Sequence, residues 1–277
     1  MRLFRFIGYF LQLQRLIGLR AASAFALVHA RNKRNPPHDG ELAHVPVGPY
    51  VFYFPSLPYF EGLFTEIFFK GTYRLAATRN PIRVIDCGAN IGVSLLYFKI
   101  RAPQARVLCF EPNPAARAVL EKNIEANGWK KDVQVFPYAL GKEKGMMRFF
   151  VEKNAPTSSG GSATNYLKEE GRELDVYDVE MTTLSQYIDS DIALLKIDIE
   201  GAEFDVLEEL ATQDSMRHIA AIQLEYHYIP GFFTRPLSDL LALLESHGFH
   251  TSVQSNAPTN HIADPAAIQT SMVFAQR

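Results

Sequence analysis

From Arg83 onward, short apolar runs alternate with stretches whose apolar residues recur every three or four positions. "RVIDCG" leads into 91–101, "ARVLCFE" leads into 113–127, and "VQVFPYAL" follows. After a less regular stretch come "IALLKIDI" with 201–211 and "HIAAIQLEY" with 236–247, and "HTSVQS" and "SMVFAQ" close the chain. Runs that are apolar throughout predict strands buried on both faces, and their alternation with helices predicts parallel pairing through right-handed crossovers. The pattern therefore predicts a doubly wound α/β sheet. Such sheets bind ligands at the carboxyl ends of their strands, near the point where strand order reverses.

The first 38 residues follow another pattern. They are apolar, but Arg5, Gln12, Gln14, Arg15 and Arg20 interrupt them, so no run reaches the ~18–20 apolar residues that span a bilayer. A secretory signal is disfavoured by the same arginines. The segment predicts an amphipathic helical arm, packed against the body or a partner. Phe4, Phe6, Phe10 and Leu13 among several arginines also make residues 1–34 a candidate for peripheral contact with an anionic membrane. "ARNKRNPPHDG" reads as a linker, because consecutive prolines end a helix. The expected organisation is an arm over 1–38 and one domain over 39–277.

Charge sharpens this division. The arm holds seven of the 28 Lys/Arg and none of the 30 Asp/Glu, which leaves 21 basic and 30 acidic residues in the body. An acidic body argues against nucleic acid as a partner, which requires a basic footprint. Cys87 and Cys109 lie in strand-like runs and form no CxxC pair, so they read as core residues of a reducing compartment. A cytoplasmic protein is expected, with the arm at the inner face of the membrane as the variant of that expectation.

Candidate chemistry sits where the strand ends predict it. "VIDCGANIG" ends a strand and turns into a helix, with Gly88 suited to a tight turn or close approach and Gly92 to packing of the helix start. A pyrophosphate turn has the spacing GxGxxG; here the middle glycine is missing and Asp86 adds a negative charge, which suits a cationic ligand better. No GxxxxGK[ST] is present. S-adenosylmethionine fits these demands, since it has a sulfonium, an ammonium and a ribose diol but no phosphate. Glu111 in "CFEPNP" ends the next strand, placed to accept both ribose hydroxyls. Asn113 and Pro114 read as a helix N-cap and first helical residue.

Taken in order, "VIDCGANIG", "FEPNP", "YALG" and "LLKIDIEGAEFDVL" resemble the FkbM-type methyltransferases, a branch of the class I S-adenosylmethionine-dependent enzymes, over about residues 60–255. The resemblance implies a Rossmann-like, mostly parallel seven-stranded sheet with a final antiparallel hairpin, and methyl transfer to a hydroxyl oxygen. It further implies that Asp86, Gly88, Asn90 and Gly92 form the methionine-end pocket, that Glu111 holds the ribose, and that Tyr138 and Ala139 neighbour the adenine. Asp198 would then adjoin the transferred methyl. The acceptor is expected to be a small-molecule, sugar or lipid-linked glycan hydroxyl.

An attacking alcohol must lose a proton. "LEYHYIP" puts Glu225 and His227 on one side of a strand by the period of two, and a neutral imidazole with an ordinary pKa of ~6.5 suits a general base. His227 is therefore the expected base, oriented by Glu225 or Asp198. Glu200 and Glu203 stand near a helix start, where its dipole favours acids for structural reasons. Paired acids also suit a divalent metal, but no complete ligand set is visible, so a metal-free site is expected. Ser162, in the polar stretch "NAPTSSGGSATNYL", is expected to reach the cofactor from a covering loop, and "YVFYFPSLPYFEGLF" reads as core with a part in an acceptor wall. Two other readings are a nicotinamide-dependent oxidoreductase, against which the absent GxGxxG counts, and a noncatalytic S-adenosylmethionine-binding or membrane-associated scaffold.

Overall fold

Two helices open the chain, α1 (Arg2–Ile17) and α2 (Leu19–Arg34), which turn on Gly18 with its positive φ of 85°. A computed structural model describes residues 2–34, 40–153, 155, 157, 171–228, 235–255 and 269–277, with backbone alone for 2–8, 255 and 269. Ser162 lies outside the described residues. Among the described residues no helix is long and apolar enough to cross a membrane. The arm packs on the body: Leu13 and Ala22 are buried, Phe25 stacks on Phe64 at 5.0 Å, and His29 Nε2 lies 2.7 Å from Glu61 Oε1. Leu13, one of the residues that suggested membrane contact, is thus turned into the protein, while Arg15 and Arg20 are exposed.

The segment read as aromatic core forms a hairpin of β1 (Ala43–Val47) and β2 (Tyr50–Phe54), then α3 (Leu57–Phe64), which runs on into one turn of π-helix, Thr65–Lys70. Phe52, Phe54 and Phe60 are fully buried together. The hairpin is fastened to the body by two asparagines four residues apart on one helix face. Asn123 accepts from Tyr53 N at 2.7 Å and donates to Tyr53 O and Ile91 O, both at 3.0 Å. Asn127 makes the same exchange with Val51 N and O at 2.9 and 2.8 Å. Two side-chain amides thus stand in for a neighbouring strand.

The strands and helices of the body follow in chain order: β3 (Arg83–Cys87), α4 (Val93–Arg101), β4 (Arg106–Phe110), α5 (Pro114–Ala126), β5 (Val133–Phe136), β6 (Ala139–Leu140), β7 (Gly145–Glu152), β8 (Leu174–Thr182), β9 (Leu194–Ile197), α6 (Glu203–Thr212), β10 (Ala221–Tyr228), α7 (Leu237–Ser246), β11 (His250–Ser255) and β12 (Gln269–Gln276). The main sheet has seven strands in the order β11-β12-β10-β9-β3-β4-β5. β5, β4, β3, β9 and β10 are parallel, and β12 runs antiparallel between β10 and β11. This is the doubly wound α/β fold that the periodicities predict, mostly parallel with an antiparallel end. One core lies under α4 and α5 with Val84, Leu95, Val107 and Leu120; the other lies under α6 and α7 with Ile85, Leu195, Val206 and Leu240.

One element differs from the expectation. "VQVFPYAL" is not a single strand but two, because Pro137 lacks an N–H and breaks the ladder between β5 and β6. β6 leaves the main sheet and pairs with β8, which pairs with β7, in a separate three-stranded sheet. Within the stretch that looked irregular, Gly145–Glu152 and Leu174–Thr182 form this second sheet with β6.

The fastening of the hairpin predicts a cost. Asn123→Ala removes three hydrogen bonds at a fully buried position, so stability should fall by about 2–4 kcal/mol, as a lower urea midpoint at unchanged slope. A loss below about 0.5 kcal/mol would show that water replaces these bonds at no cost.

Candidate active site

β3 is the switch point, with β4 on one side and β9 on the other, and the chain turns away from it over Gly88. Gly88 has φ 77°, and a Cβ there would stand 1.8 Å from the Asp198 carbonyl oxygen. Close approach of two backbones, not of a ligand, is what demands glycine. Gly92 has φ 93°, and its Cβ would meet Leu120 at 2.8 Å, so it lets the start of α4 sit against α5. Asn90 also takes a positive φ of 50°, which asparagine tolerates better than most residues. Its Oδ1 accepts from Tyr59 Oη and Ile91 N at 2.7 and 2.8 Å, and its Nδ2 donates to Thr157 O at 3.3 Å. The asparagine between the glycines thus closes the turn.

Asp86 is not where a ligand's cation would meet it. The register sets it directly across from Lys196 of β9, and Lys196 Nζ lies 3.1 Å from Asp86 Oδ1 while Ser94 donates to Oδ2 at 2.6 Å. Asp86 is wholly buried and does not line the cleft. Lys196 also donates to the carbonyls of Cys87 and Gly88 at 3.1 and 2.6 Å and stands 3.7 Å from Asp198 Oδ2. Burial alone would lower the pKa of this ammonium, but the Asp86 and Asp198 carboxylates more than reverse that and keep it charged. A lysine inside an apolar strand run was a signal available in "LLKID", and the reading of motif acids passed over it.

A cleft opens at the carboxyl ends of β3, β4, β9 and β10, and Asn90, Glu111, Tyr138, Asp198, Glu200 and Glu225 line it. Glu111 is buried at its wall, and its two oxygens each accept one backbone bond, from Asn90 N at 2.7 Å and Asn113 N at 2.8 Å. Asn113 has a second task as the cap of α5, accepting from Ala115 N at 3.0 Å. Burial raises Glu111 to about 7 against the lowering by those two N–H groups, Lys196 and Arg117. Tyr138 is half-buried beside Phe136, and Ala139 is buried. Leu140, Met147 and Phe149 of the second sheet close this side, and Leu63, Glu66 and Ile67 close the other from α3 and the π-helix. Cys87 and Cys109 are fully buried, with thiols that burial holds protonated.

The expected base is corrected by its surroundings. His227 is buried and does not line the cleft, and its ion-pair partners are Glu203 and Glu200, with Asp198 close by, rather than Glu225. Its Nδ1 lies 2.9 Å from Glu203 Oε1, which also accepts from Gly201 N at 3.0 Å and Ile199 N at 3.3 Å. Burial would lower the imidazole pKa, but the Glu203 and Glu200 carboxylates beside it more than reverse that and push it well above 6.5, which favours the protonated ring over the neutral one that a general base needs. Glu225 does line the cleft, and burial with the facing Asp198 raises it to about 7. Asp198 lines it too, with Oδ2 accepting from the buried Tyr73 Oη at 2.9 Å. Glu200, in a left-handed turn of φ 56°, is raised to about 8 by burial and neighbouring acids. Asp198, Glu200 and His227 bring one ligand atom each within 4.8 Å of one another, a grouping no local spacing announced.

Residues 86–251 match the Methyltransferase FkbM domain family. The chain belongs to the FkbM methyltransferase family. This FkbM-family chain is 31% identical over 242 residues to Methyltransferase sdnD of Sordaria araneosa, covering 78% of this chain and 89% of that one. It is 28% identical over 242 residues to the 31-O-demethyl-FK506 methyltransferase FkbM of Streptomyces tacrolimicus, covering 77% and 86%. Among solved structures, a methyltransferase FkbM from Methylobacillus flagellatus aligns at 16% identity and TM-score 0.49 over 76% of this chain. The FkbM-family chain spans about half, 47%, of that protein's length.

The raised acids fix the pH dependence of the ligand-free protein. Glu111 keeps its proton up to about 7 when folded but loses it near 4.5 when unfolded, so its stabilising share is full below 4.5 and is lost as pH rises through 7. Glu225 and Glu200 act in the same direction. Urea unfolding should show stability falling from pH 5 to 8, with Glu111→Gln removing on the order of 3 kcal/mol of that fall. An unchanged slope in the variant would refute the assignment.

Proposed function

We propose that the protein transfers a methyl group from S-adenosylmethionine to a hydroxyl oxygen of a small-molecule or glycan acceptor. The observation that carries the cofactor reading is Glu111. It lines the cleft, with each oxygen already oriented by one backbone N–H and each with acceptor capacity left for one hydroxyl of a cis diol. The half-buried Tyr138 ring and the apolar Leu140 and Phe149 suit an adenine beside it. Bound there, the cofactor supplies an electrophilic methyl group on a sulfonium.

The residues of this chain supply alignment and a proton acceptor. Asp198, held by Tyr73 and Lys196, gives negative charge at the cleft end nearest the switch point. Glu225 is the general base: it lines the cleft and titrates near 7, so at neutral pH a large fraction can take the acceptor's hydroxyl proton as the new oxygen–carbon bond forms. Holding the hydroxyl in line with the methyl removes much of the entropic barrier. An oxygen acceptor is supported by the Streptomyces relative, named for a 31-O-demethyl compound.

Two measurements test this. Calorimetric titration with S-adenosylhomocysteine should show one saturable site, weakened about 10–100-fold in Glu111→Ala, because two hydrogen bonds to a charged group are lost. Wild-type affinity should also drop as pH falls below 7; no binding by folded protein would remove the cofactor reading. Once a hydroxyl acceptor is found by screening, Glu225→Gln should lower kcat about 10²–10⁴-fold with cofactor affinity unchanged, and unaltered turnover would return the base role to another residue.

A further inference from the structure

The cleft end bounded by β9 and β10 holds more than a proton acceptor. Asp198 and Glu200 line the cleft, His227 is buried against them, and their ligand atoms converge within 4.8 Å. Among the described residues His227 Nε2 makes an ion pair, not a hydrogen bond, with Glu200 Oε2 at 3.6 Å. That distance is too long for a hydrogen bond, but it is close to the separation of two ligand atoms that share one ion through bonds of about 2.0–2.2 Å. The ring is held by its other nitrogen. Nδ1 is fixed by Glu203, which is itself anchored by two backbone N–H groups. A carboxylate behind the imidazole is the arrangement that orients metal-binding histidines and fixes their tautomer.

We propose that Asp198, Glu200 and His227 form a binding site for one divalent first-row transition ion. Two carboxylates with one imidazole suit Mn²⁺ or Zn²⁺ better than Mg²⁺ or Ca²⁺, which favour all-oxygen sets. Tyr73 donates to Asp198 Oδ2, and among the described residues the hydrogen bond to this carboxylate falls on that oxygen. Lys196 is committed to Asp86 and two carbonyls, and Glu66 and Glu225 add negative charge around the cleft end. A divalent ion at this point offsets that crowding. Three protein ligands leave open positions on the cleft side, where an acceptor hydroxyl can bind and be polarised. Only this last use rests on the methyl-transfer reading; the site does not.

The test uses the full-length protein, stripped with a chelator and desalted. Titrating Mn²⁺ against it, with free Mn²⁺ read by electron paramagnetic resonance, and Zn²⁺ by calorimetry, should give one ion per chain. Glu200→Gln, at the cleft wall and conservative in shape, and His227→Ala should each weaken binding at least about tenfold, and Glu203→Gln should weaken it about 10–100-fold through ring orientation. Absence of binding at millimolar metal by protein with a normal melting transition overturns the site, as does one bound ion indifferent to Glu200→Gln and His227→Ala. S-adenosylhomocysteine titrated into the same preparations separates the two proposals: its binding without an ion overturns the metal site alone, and an ion without its binding supports the site while overturning the cofactor reading.

Discussion

The buried pair of Lys196 and Asp86 is the interaction on which the site depends. Their register across β9 and β3 sets them on one face, and the ammonium reaches on to the carbonyls of Cys87 and Gly88 and toward Asp198. One cation therefore joins the central strand, its turn and the first acid after β9. A lone charge in such a place costs several kcal/mol, so each partner is tolerable only because the other is present. Gly88 completes the joint, since any side chain would drive β3 from β9 where the Asp198 carbonyl approaches.

Around that joint the cleft concentrates acids beyond what its fixed cations balance. Glu111 sits in a dry wall with two N–H donors, while Glu225 and Glu200 crowd Asp198, and burial is the first cause of the rise in all three. The same crowding acts oppositely on His227, where neighbouring carboxylates outweigh desolvation and hold a proton. Acid and imidazole thus exchange the roles their ordinary pKa values would assign. Groups held away from their solution behaviour in a cleft are the usual mark of a site built for ligand or chemistry.

Much of this was legible. The periodicities predicted β3, β4, β9 and β10 with their helices, and the turn "DCGANIG" and the acid of "FEPNP" fall at strand ends on the cleft. What escaped the reading was either non-local or masked by composition. The second sheet pairs β7 and β8 across a long connection, and its polar edges gave no buried run to see. Tyr73 precedes its partner Asp198 by 125 residues, and no spacing rule links them. Asn123 looks like any helix polar residue until the hairpin is laid against it.

The sequence by itself determined the architecture and the addresses of the chemistry, because strand and helix periods and turn residues are local properties of the chain. It also carried the family, through four motifs in order. Tertiary structure alone decided what each acid faces. Asp86 was a ligand partner on paper and is a partner of Lys196 in the fold; His227 was a base beside Glu225 and lies between Glu203 and Glu200, whose charges favour its protonated form. The reason is that charge and proton affinity are set by distance and burial, and both are created only when β3, β9 and β10 are brought side by side.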